Sequence, residues 1–297
     1  MRSFLDMDDL TRDELAQVFD LAEAPTRPVL AGRGAALIFE KPSNRTRNST
    51  EMAVVQLGGH PITIRGDEIG LGVRESVEDV TRVLARYHAV VAARVFDHTL
   101  LESMARVGEV PIVNLLSDHS HPCQVLADLL TLRQRWGSLQ GRSLAWVGDG
   151  NNVARSLALG CALAGMEIRL ACPPGHELDE ASVDGARASG GSVVPERDPR
   201  AAVEGADAVY TDVWVSMGQE AEAAERQDAF AGYQVNAELM AAAAPGAVFL
   251  HCLPAHRGLE VTAEVIDGPA SVVFDQAENR MHAARGLLMW LLDARDR

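Results

Sequence analysis

Short runs of apolar and β-branched residues alternate with segments of helical pattern along the whole chain. The predicted strands cover residues 35–39, 62–64, 90–95, 112–116, 144–147, 168–171, 208–213, 248–253 and 272–274. This alternation is typical of α/β proteins with parallel sheets, because a crossover helix must carry the chain back before the next parallel strand begins. Eight or nine such strands could close as a barrel or divide between two open sheets.

A polar segment near the middle of the chain favours two open sheets. Residues 135–142 hold two glycines among arginine, serine and glutamine, a composition typical of a hinge or linker. We therefore predict two doubly wound parallel-sheet domains, which cover residues 1–136 and 137–276. The last predicted helix, from about residue 277 to 292, carries an apolar stripe. This stripe consists of Met281, Ala284, Leu287, Leu288 and Leu291.

The charge balance excludes partners that are themselves polyanions. The chain has 27 Lys and Arg residues against 42 Asp and Glu residues, for a formal net charge of −15. A protein that binds nucleic acid or an anionic membrane needs a basic surface, which this composition does not readily supply. With 47% hydrophobic and 23% charged residues, the chain has the composition of an ordinary packed globular protein. A few local arginines can still bind one small anion.

No apolar run approaches the length of about 20 residues that a membrane-spanning helix needs. The first residues also lack the apolar core of a secretory signal, so we expect a cytoplasmic protein. The cysteines have no CxxC spacing, so neither a disulfide framework nor a zinc site is expected, and the thiols should be reduced. These cysteines are Cys123, Cys161, Cys172 and Cys252.

The sequence Ser43-Asn44-Arg45-Thr46-Arg47 follows an apolar run and leads into a helical pattern. A polar turn at a helix start presents free backbone N–H groups, and two arginines add charge-assisted donors around one oxyanion. The segment therefore predicts a phosphate site. Taken alone, an Arg-x-Arg pair at a helix start is more often a solvated basic face.

Four further motifs follow this segment in order. They are His121-Pro122-Cys123-Gln124, Asp212-Val213-Trp214-Val215-Ser216-Met217-Gly218, His251-Cys252-Leu253-Pro254 and Glu278-Asn279-Arg280. Together with the Ser43–Arg47 segment, these motifs resemble the aspartate/ornithine carbamoyltransferase family. The motifs that begin at Asp212 and at His251 resemble its ornithine branch. The resemblance extends from Phe4 to the last helix. It implies that residues 277–297 pack back on the first domain.

The resemblance implies a site for carbamoyl phosphate. Its expected ligands are Ser43, Asn44, Arg45, Thr46, Arg47, Arg94, His121, Gln124, Cys252, Leu253 and Arg280. Arg94 is expected to bridge the phosphate and the carbamoyl oxygen, while His121 polarises the carbonyl. Gln124 is expected to accept from the carbamoyl amide, whereas Cys123 is a small buried hydrophobe. This chain has Asn44 where the family usually has Thr, and Thr50 where Phe is common.

The second half of the chain is expected to bind the acceptor. Glycines 148 and 150 precede Asn151 and Asn152 in a turn that superficially resembles a dinucleotide fingerprint, but no acidic residue ends the next predicted strand to hold a ribose. The family resemblance instead assigns an asparagine of this turn to the amino acid, and we choose Asn152 over Asn151. The expected ornithine ligands are Asn152, Asp212, Ser216 and Met217.

The resemblance implies carbamoyl transfer from carbamoyl phosphate to the δ-amine of L-ornithine, giving L-citrulline and phosphate. The amine has an ordinary pKa of about 10.4 and must lose a proton before it attacks. The expected catalytic residues are Cys252, Asp212, His121 and Arg94. The resemblance makes Cys252 the candidate proton acceptor, alone or paired with Asp212; the substrate phosphate and water are alternatives. No metal or organic cofactor is expected.

The resemblance also implies a homotrimer with active sites at subunit interfaces, completed by a neighbour's segment near Gly66 to Arg74. Two alternatives have different consequences. The first is a carbamoyltransferase for putrescine, lysine or an acylated ornithine. A diamine acceptor such as putrescine has no α-carboxylate, so loss of the Asp-x-x-x-Ser-Met-Gly motif would have favoured it, and the motif is intact. A catalytically silent binding paralogue would be expected to lose Arg47, His121, Cys252 or Arg280, and all four are present.

Overall fold

The computed structural model describes residues 1–215 and 220–293, which form two compact units. The first unit contains residues 1–130 and 278–293, and the second contains the described residues of 131–277. The division between the units falls inside helix α6 (Pro122–Trp136), before the predicted linker. The proposed domain boundary, between residues 136 and 137, lies instead at the end of this helix.

The first unit is built on a four-stranded parallel sheet in the order β2-β1-β3-β4. The strands are β1 (Gly34–Phe39), β2 (His60–Arg65), β3 (His88–Arg94) and β4 (Ile112–Leu116). The helices before α6 are α1 (Arg12–Glu23), α2 (Asn44–Gln56), α3 (Gly66–Ile69), α4 (Val77–Tyr87) and α5 (His98–Val107), with a 3₁₀ turn at Met7–Asp9. After β1 the chain forms the edge strand β2, and it then crosses to the other side of β1 to form β3. A topological switch point therefore lies between β1 and β3.

The second unit is built on a five-stranded parallel sheet in the order β7-β6-β5-β8-β9. The strands are β5 (Ser143–Val147), β6 (Glu167–Ala171), β7 (Ser192–Glu196), β8 (Ala208–Thr211) and β9 (Val248–His251). Its helices are α7 (Asn152–Ala164), α8 (Glu180–Ala188), α9 (Pro199–Val203), α10 (Ala223–Ala229), α11 (Ala237–Met240) and α12 (Ala263–Ile266), with a 3₁₀ turn at Glu220–Glu222. Here the switch point lies between β5 and β8. The last helix, α13 (Val273–Asp293), begins in this unit and belongs to the first unit from residue 278 onward.

The two central strands of the first sheet are buried along nearly their whole length. Strands β1 and β3 consist mainly of alanine and β-branched or aliphatic residues, with α4 and α5 packed on one side of them. Strands covered on both faces require such continuous apolar runs, because no position faces water. This burial leaves the carboxyl ends of the strands as the place where polar side chains can collect.

The last helix, α13, packs closely on the first unit. An added Cβ at Gly286 would lie only 2.4 Å from the carbonyl oxygen of Val18, so glycine is what lets α13 approach α1. The indole N–H of Trp290 donates to Gln17 at 3.2 Å, and Arg285 donates to the carbonyl oxygen of Ala22. The predicted return of the C-terminal helix to the first domain is confirmed.

The prediction of two parallel α/β sheets is confirmed, and the barrel alternative is wrong. The predicted strand at 272–274 is also wrong, because α13 already begins at Val273. The preceding residues run beside β9 for a single bridge at Ser271, and the chain then turns into the helix with Phe274 exposed. Within the described residues, we find no helix with the length and apolar character needed to cross a membrane.

Candidate functional site

The predicted phosphate segment lies at the switch point of the first sheet, between the carboxyl end of β1 and the start of α2. Ser43 is the N-cap of α2, and its hydroxyl accepts from the N–H of Thr46 at 3.2 Å. Thr46 is buried and Asn44 is exposed. A capped helix start at this position gathers backbone donors and the positive end of the helix dipole, as an anion site requires.

A buried cationic cluster surrounds His121, the residue that precedes α6. Arg94, the last residue of β3, is buried, as is Arg280 of α13. Burial lowers the pKa of His121 well below its ordinary value, and the charges of Arg280, Arg94 and Arg45 lower that pKa further. His121 is therefore a neutral imidazole at physiological pH, and three guanidinium groups make this region favourable for an anion.

Arg280 connects the predicted phosphate segment to the His121 helix. Its Nη2 donates to the hydroxyl of Thr46 at 3.0 Å, and its Nη1 donates to Oε1 of Gln124. The Gln124 amide nitrogen in turn donates to Oδ1 of Asp128 at 2.8 Å. The structure thus brings Thr46, Gln124 and Arg280 together as the sequence predicts, and adds Asp128, which sequence reasoning missed.

The two arginines of the segment occupy different environments. Arg45 is half-buried and lies close enough to lower the pKa of His121. The side chain of Arg47 is 54% exposed, and its Nε donates to Glu51 at 2.9 Å, one turn along α2. The structure therefore places Arg45 toward the cationic cluster and gives Arg47 a surface ion pair, a class of interaction worth about 0–1 kcal/mol.

Two further side chains near the segment have defined surroundings. The Lys41 ammonium lies 4.0 Å from the ring centroid of Phe96, and burial followed by the charge of Arg94 lowers its pKa. Cys123 is buried, its thiol donates to the carbonyl oxygen of Asn114 at 3.2 Å, and burial raises its pKa to about 12. Cys123 is therefore a packed thiol, whereas Lys41 adds positive charge beside Arg94.

The second unit carries its own polar cluster at its switch point. Asp212 follows β8 and is buried; Oδ1 accepts from the N–H of Val213 at 2.8 Å and from the thiol of Cys252 at 2.9 Å. Its other oxygen accepts from the side-chain amide of Asn151 at 3.1 Å. One carboxyl group thus links the turn after β5, the end of β8 and the end of β9.

The turn between β5 and α7 is fixed by glycine and by Asn151. An added Cβ at Gly150 would lie 2.2 Å from the backbone nitrogen of Leu178, so no other residue fits there. Asn151 caps α7, accepting from the N–H groups of Val153 and Ala154 at 2.9 and 3.1 Å. Asn152 is the first residue of the helix and is half-buried. The side chain of Asn151 is thus engaged in capping α7 and in contacting Asp212.

A buried arginine connects this turn to the segment that follows Asp212. Arg226 of α10 donates to the carboxylate of Asp149 and to the carbonyl oxygen of Trp214. Burial raises the pKa of Asp149, while the charges of Arg226 and His176 lower it. This contact, which the sequence motifs did not indicate, holds the two loops of the second switch point together.

His251 fixes the backbone of the motif that contains Cys252. Its Nδ1 accepts from the N–H of Leu253 at 2.8 Å, so a neutral imidazole carries its proton on Nε2, which faces Glu260 at 3.3 Å. His251 and Glu260 are fully buried. Leu253 has a φ of 58°, in the left-handed region that few residues other than glycine adopt.

Asp212, His251 and Cys252 offer atoms within 4.8 Å of one another and are the residues that could hold a metal ion among those described. Each of them already makes protein contacts: the thiol donates to Asp212, and both nitrogens of His251 face protein partners. We therefore assign the group to hydrogen bonding. Ser216 and Met217, also expected at this site, lie outside the described residues.

Comparison with known proteins gives a consistent result over both units. Residues 2–134 match the family model "Aspartate/ornithine carbamoyltransferase, carbamoyl-P binding domain", and residues 140–291 match "Aspartate/ornithine carbamoyltransferase, Asp/Orn binding domain". An ornithine carbamoyltransferase of Acidothermus cellulolyticus is 51% identical over 99% of this chain and 97% of its own length.

Two solved structures match over a similar share of the chain. The ornithine carbamoyltransferase of Pyrococcus furiosus has a TM-score of 0.94 and 44% identity, covering 98% of this chain and 97% of that one. The ornithine carbamoyltransferase of Thermus thermophilus has a TM-score of 0.90 and 46% identity, covering 98% and 99%.

Proposed function

The chain belongs to the aspartate/ornithine carbamoyltransferase family, and we propose that it transfers the carbamoyl group of carbamoyl phosphate to the δ-amine of L-ornithine. The products are L-citrulline and phosphate, so the reaction belongs to arginine metabolism. The observation that carries the proposal is the pair of clusters at the two switch points. One is cationic and suits a phosphate dianion, while the other is centred on the Asp212 carboxyl group and suits an ammonium group.

The donor is assigned to the cationic cluster of the first unit. Charge-assisted hydrogen bonds contribute about 1.5–3 kcal/mol each, so several of them can give micromolar affinity after the entropic cost of binding. Arg45, Thr46, Arg94 and Arg280 carry most of this interaction in our proposal, and Arg47 contributes when its ion pair with Glu51 opens. The remaining proposed donor ligands are Ser43, Asn44, His121, Gln124, Cys252 and Leu253.

The acceptor is assigned to the second unit. Asp212 would hold a cationic amine of ornithine, and Asn152 would bind the amino-acid end together with Ser216 and Met217. Carboxyl ends of parallel strands beside a switch point are where such ligands bind in open α/β sheets. The hydrogen bonds that Asp212 already accepts from Asn151 and Cys252 hold its carboxyl group in one orientation.

In the proposed reaction, the neutral δ-amine adds to the carbamoyl carbon and forms a C–N bond. The carbonyl electrons move to oxygen, where the Arg94 guanidinium, the hydroxyl of Thr46 and the His121 imidazole stabilise the developing charge. One such donor is typically worth about 2.7–4 kcal/mol in the transition state. The C–O bond to phosphate then breaks, and phosphate leaves with the electron pair. The amine proton passes to the sulfur of Cys252 as the thiol proton moves to the Asp212 carboxylate, to which the thiol already donates.

We also propose that the chain assembles as a cytoplasmic homotrimer in which a neighbour's segment 66–74 completes each site. Large apolar side chains are exposed on the first unit and are available for burial against a neighbouring subunit. They include Met52, Val55, Ile62, Val73, Val83 and Tyr87, of which Val73 is 93% exposed. The four cysteines are thiols and not disulfides in the structure, the state that a reducing compartment maintains.

A panel of amine acceptors tests the proposed function. Ornithine should exceed putrescine in kcat/KM by roughly 10⁴-fold, because a site built to bind the α-amino acid end is left with unpaired polar groups by the diamine. The panel also includes lysine, whose side chain is one methylene longer than that of ornithine, and N-acetylornithine. Comparable rates with putrescine would transfer the assignment to a diamine enzyme. Binding of carbamoyl phosphate without transfer to any amine would indicate the silent paralogue.

A further inference from the structure

The buried side chains of Gln124 and Asp128 form a unit that the proposed mechanism uses only in part. The two residues are four positions apart on α6, so their side chains share one face of the helix. Gln124 is 2% exposed and Asp128 is fully buried. The amide nitrogen of Gln124 donates to Oδ1 of Asp128 at 2.8 Å, and the amide oxygen accepts from Arg280.

The chemistry of the two neighbours fixes which way the Gln124 amide points. A guanidinium has donors and no acceptor, so the amide atom that faces Arg280 must be the oxygen. Asp128 then accepts from the NH₂ end at the other side. A flipped amide would place its NH₂ group against the guanidinium and its oxygen against a carboxyl oxygen, which loses both hydrogen bonds.

We propose that Asp128 is a positioning residue for the donor: it holds the Gln124 amide oxygen in place to accept a hydrogen bond from the NH₂ group of carbamoyl phosphate. A carbonyl oxygen has two lone pairs, of which one serves Arg280 and the second serves the substrate. This inference rests on the proposed function, because it assigns carbamoyl phosphate to the cluster around Arg280.

The burial of Asp128 supports a functional reason for a carboxyl group at this position. Its neighbours on α6, among them Val125, Leu126, Leu129 and Leu130, are fully buried and apolar. Removing a carboxyl group from water is unfavourable unless its contacts compensate, and an apolar residue would pack on α6 without that loss of hydration. Holding the substrate-binding amide is a role that an apolar residue could not fill.

Three ligands separate this role from a structural one. Carbamoyl phosphate and acetyl phosphate share the carbonyl and the phosphate, but acetyl phosphate has a methyl group where carbamoyl phosphate has NH₂. Inorganic phosphate has neither group. Calorimetric binding of each ligand to the full-length wild-type protein and to Asp128→Leu gives the ratio of the acetyl phosphate Kd to the carbamoyl phosphate Kd. This ratio measures recognition of the NH₂ group.

The Asp128→Leu substitution should lower this ratio by about tenfold, the value of one lost hydrogen bond of about 1.4 kcal/mol. Affinity for inorganic phosphate should change less than twofold. Asp128→Asn, whose amide oxygen can still accept from Gln124, should keep most of the discrimination. Asp128→Ala repeats the test if the leucine variant does not fold.

Two results would overturn the inference. One is an unchanged ratio in a folded variant that lacks the acceptor at position 128. The other is an equal loss of affinity for all three ligands, which would indicate that Asp128 only supports the fold. A wild-type protein that binds phosphate but does not prefer carbamoyl phosphate over acetyl phosphate would instead contradict the proposed function, and the inference with it.

Discussion

Replacing Arg45 with alanine is expected to raise the KM for carbamoyl phosphate by about 30- to 100-fold, whereas Arg47→Ala should change it less than fivefold. Arg45 is half-buried and its charge acts on His121, so its loss removes a charge-assisted contact of about 2–3 kcal/mol. Arg47 is exposed and bound to Glu51. The two arginines belong to one short segment, which makes Arg47→Ala a matched control for the loss of a guanidinium.

Steady-state kinetics at saturating ornithine measures both effects, and binding of inorganic phosphate separates the phosphate contact from the chemistry. Both variants should melt within a few degrees of the wild type, since neither side chain is part of the core. Equal effects from the two substitutions would show that Arg47 leaves Glu51 and binds the donor as strongly as Arg45. An unchanged KM in Arg45→Ala would remove this segment from the donor site.

Replacing Asp212 with asparagine is expected to lower kcat/KM for ornithine by about 10³-fold while the affinity for carbamoyl phosphate changes less than twofold. The carboxyl group is buried and accepts from Asn151, Val213 and Cys252, so an amide in its place loses both the charge and part of this hydrogen bonding. Leaving one partner of a buried charge pair unmatched typically costs about 3–5 kcal/mol.

Asp207→Asn is the matched control, because Asp207 lies at the opposite end of β8 and binds Arg142 and Ser143. It should lower stability without lowering kcat/KM by more than about threefold, since it is remote from the switch point. Similar losses of activity in both variants would indicate that damage to β8, rather than loss of an ammonium partner, explains the Asp212 result.

The strands were predictable where burial is complete. Strands β1, β3 and β5 form continuous apolar runs, because central strands of a parallel sheet face helices on both sides. The edge strand β7 escaped prediction, since it is only partly buried and contains Pro195, which an edge tolerates and a central strand does not. The predicted strand 272–274 failed because valines also begin a buried helix, and a short apolar run does not distinguish the two.

The predicted site residues belong to contiguous motifs, whereas the residues that hold them do not. Arg226 and Glu260 act through contacts that only the fold creates, such as the contact of Arg226 with Asp149 in an earlier turn. Asp128 could have been recognised from the sequence, because it is an acidic residue inside the apolar run of α6, one turn after Gln124. An acid in such a position requires a polar partner, and the partner is a proposed ligand.

The most direct test of the proposed reaction is the fate of the carbamoyl carbon. Purified protein is incubated with ¹³C-labelled carbamoyl phosphate and ornithine labelled with ¹⁵N at the δ position, and the products are followed by ¹³C NMR with a phosphate assay. We expect a single ureido carbon signal, coupled to the δ nitrogen, and one phosphate released for each citrulline formed. Label found on the α nitrogen, or phosphate released with the label in bicarbonate, would contradict carbamoyl transfer to the δ-amine of ornithine.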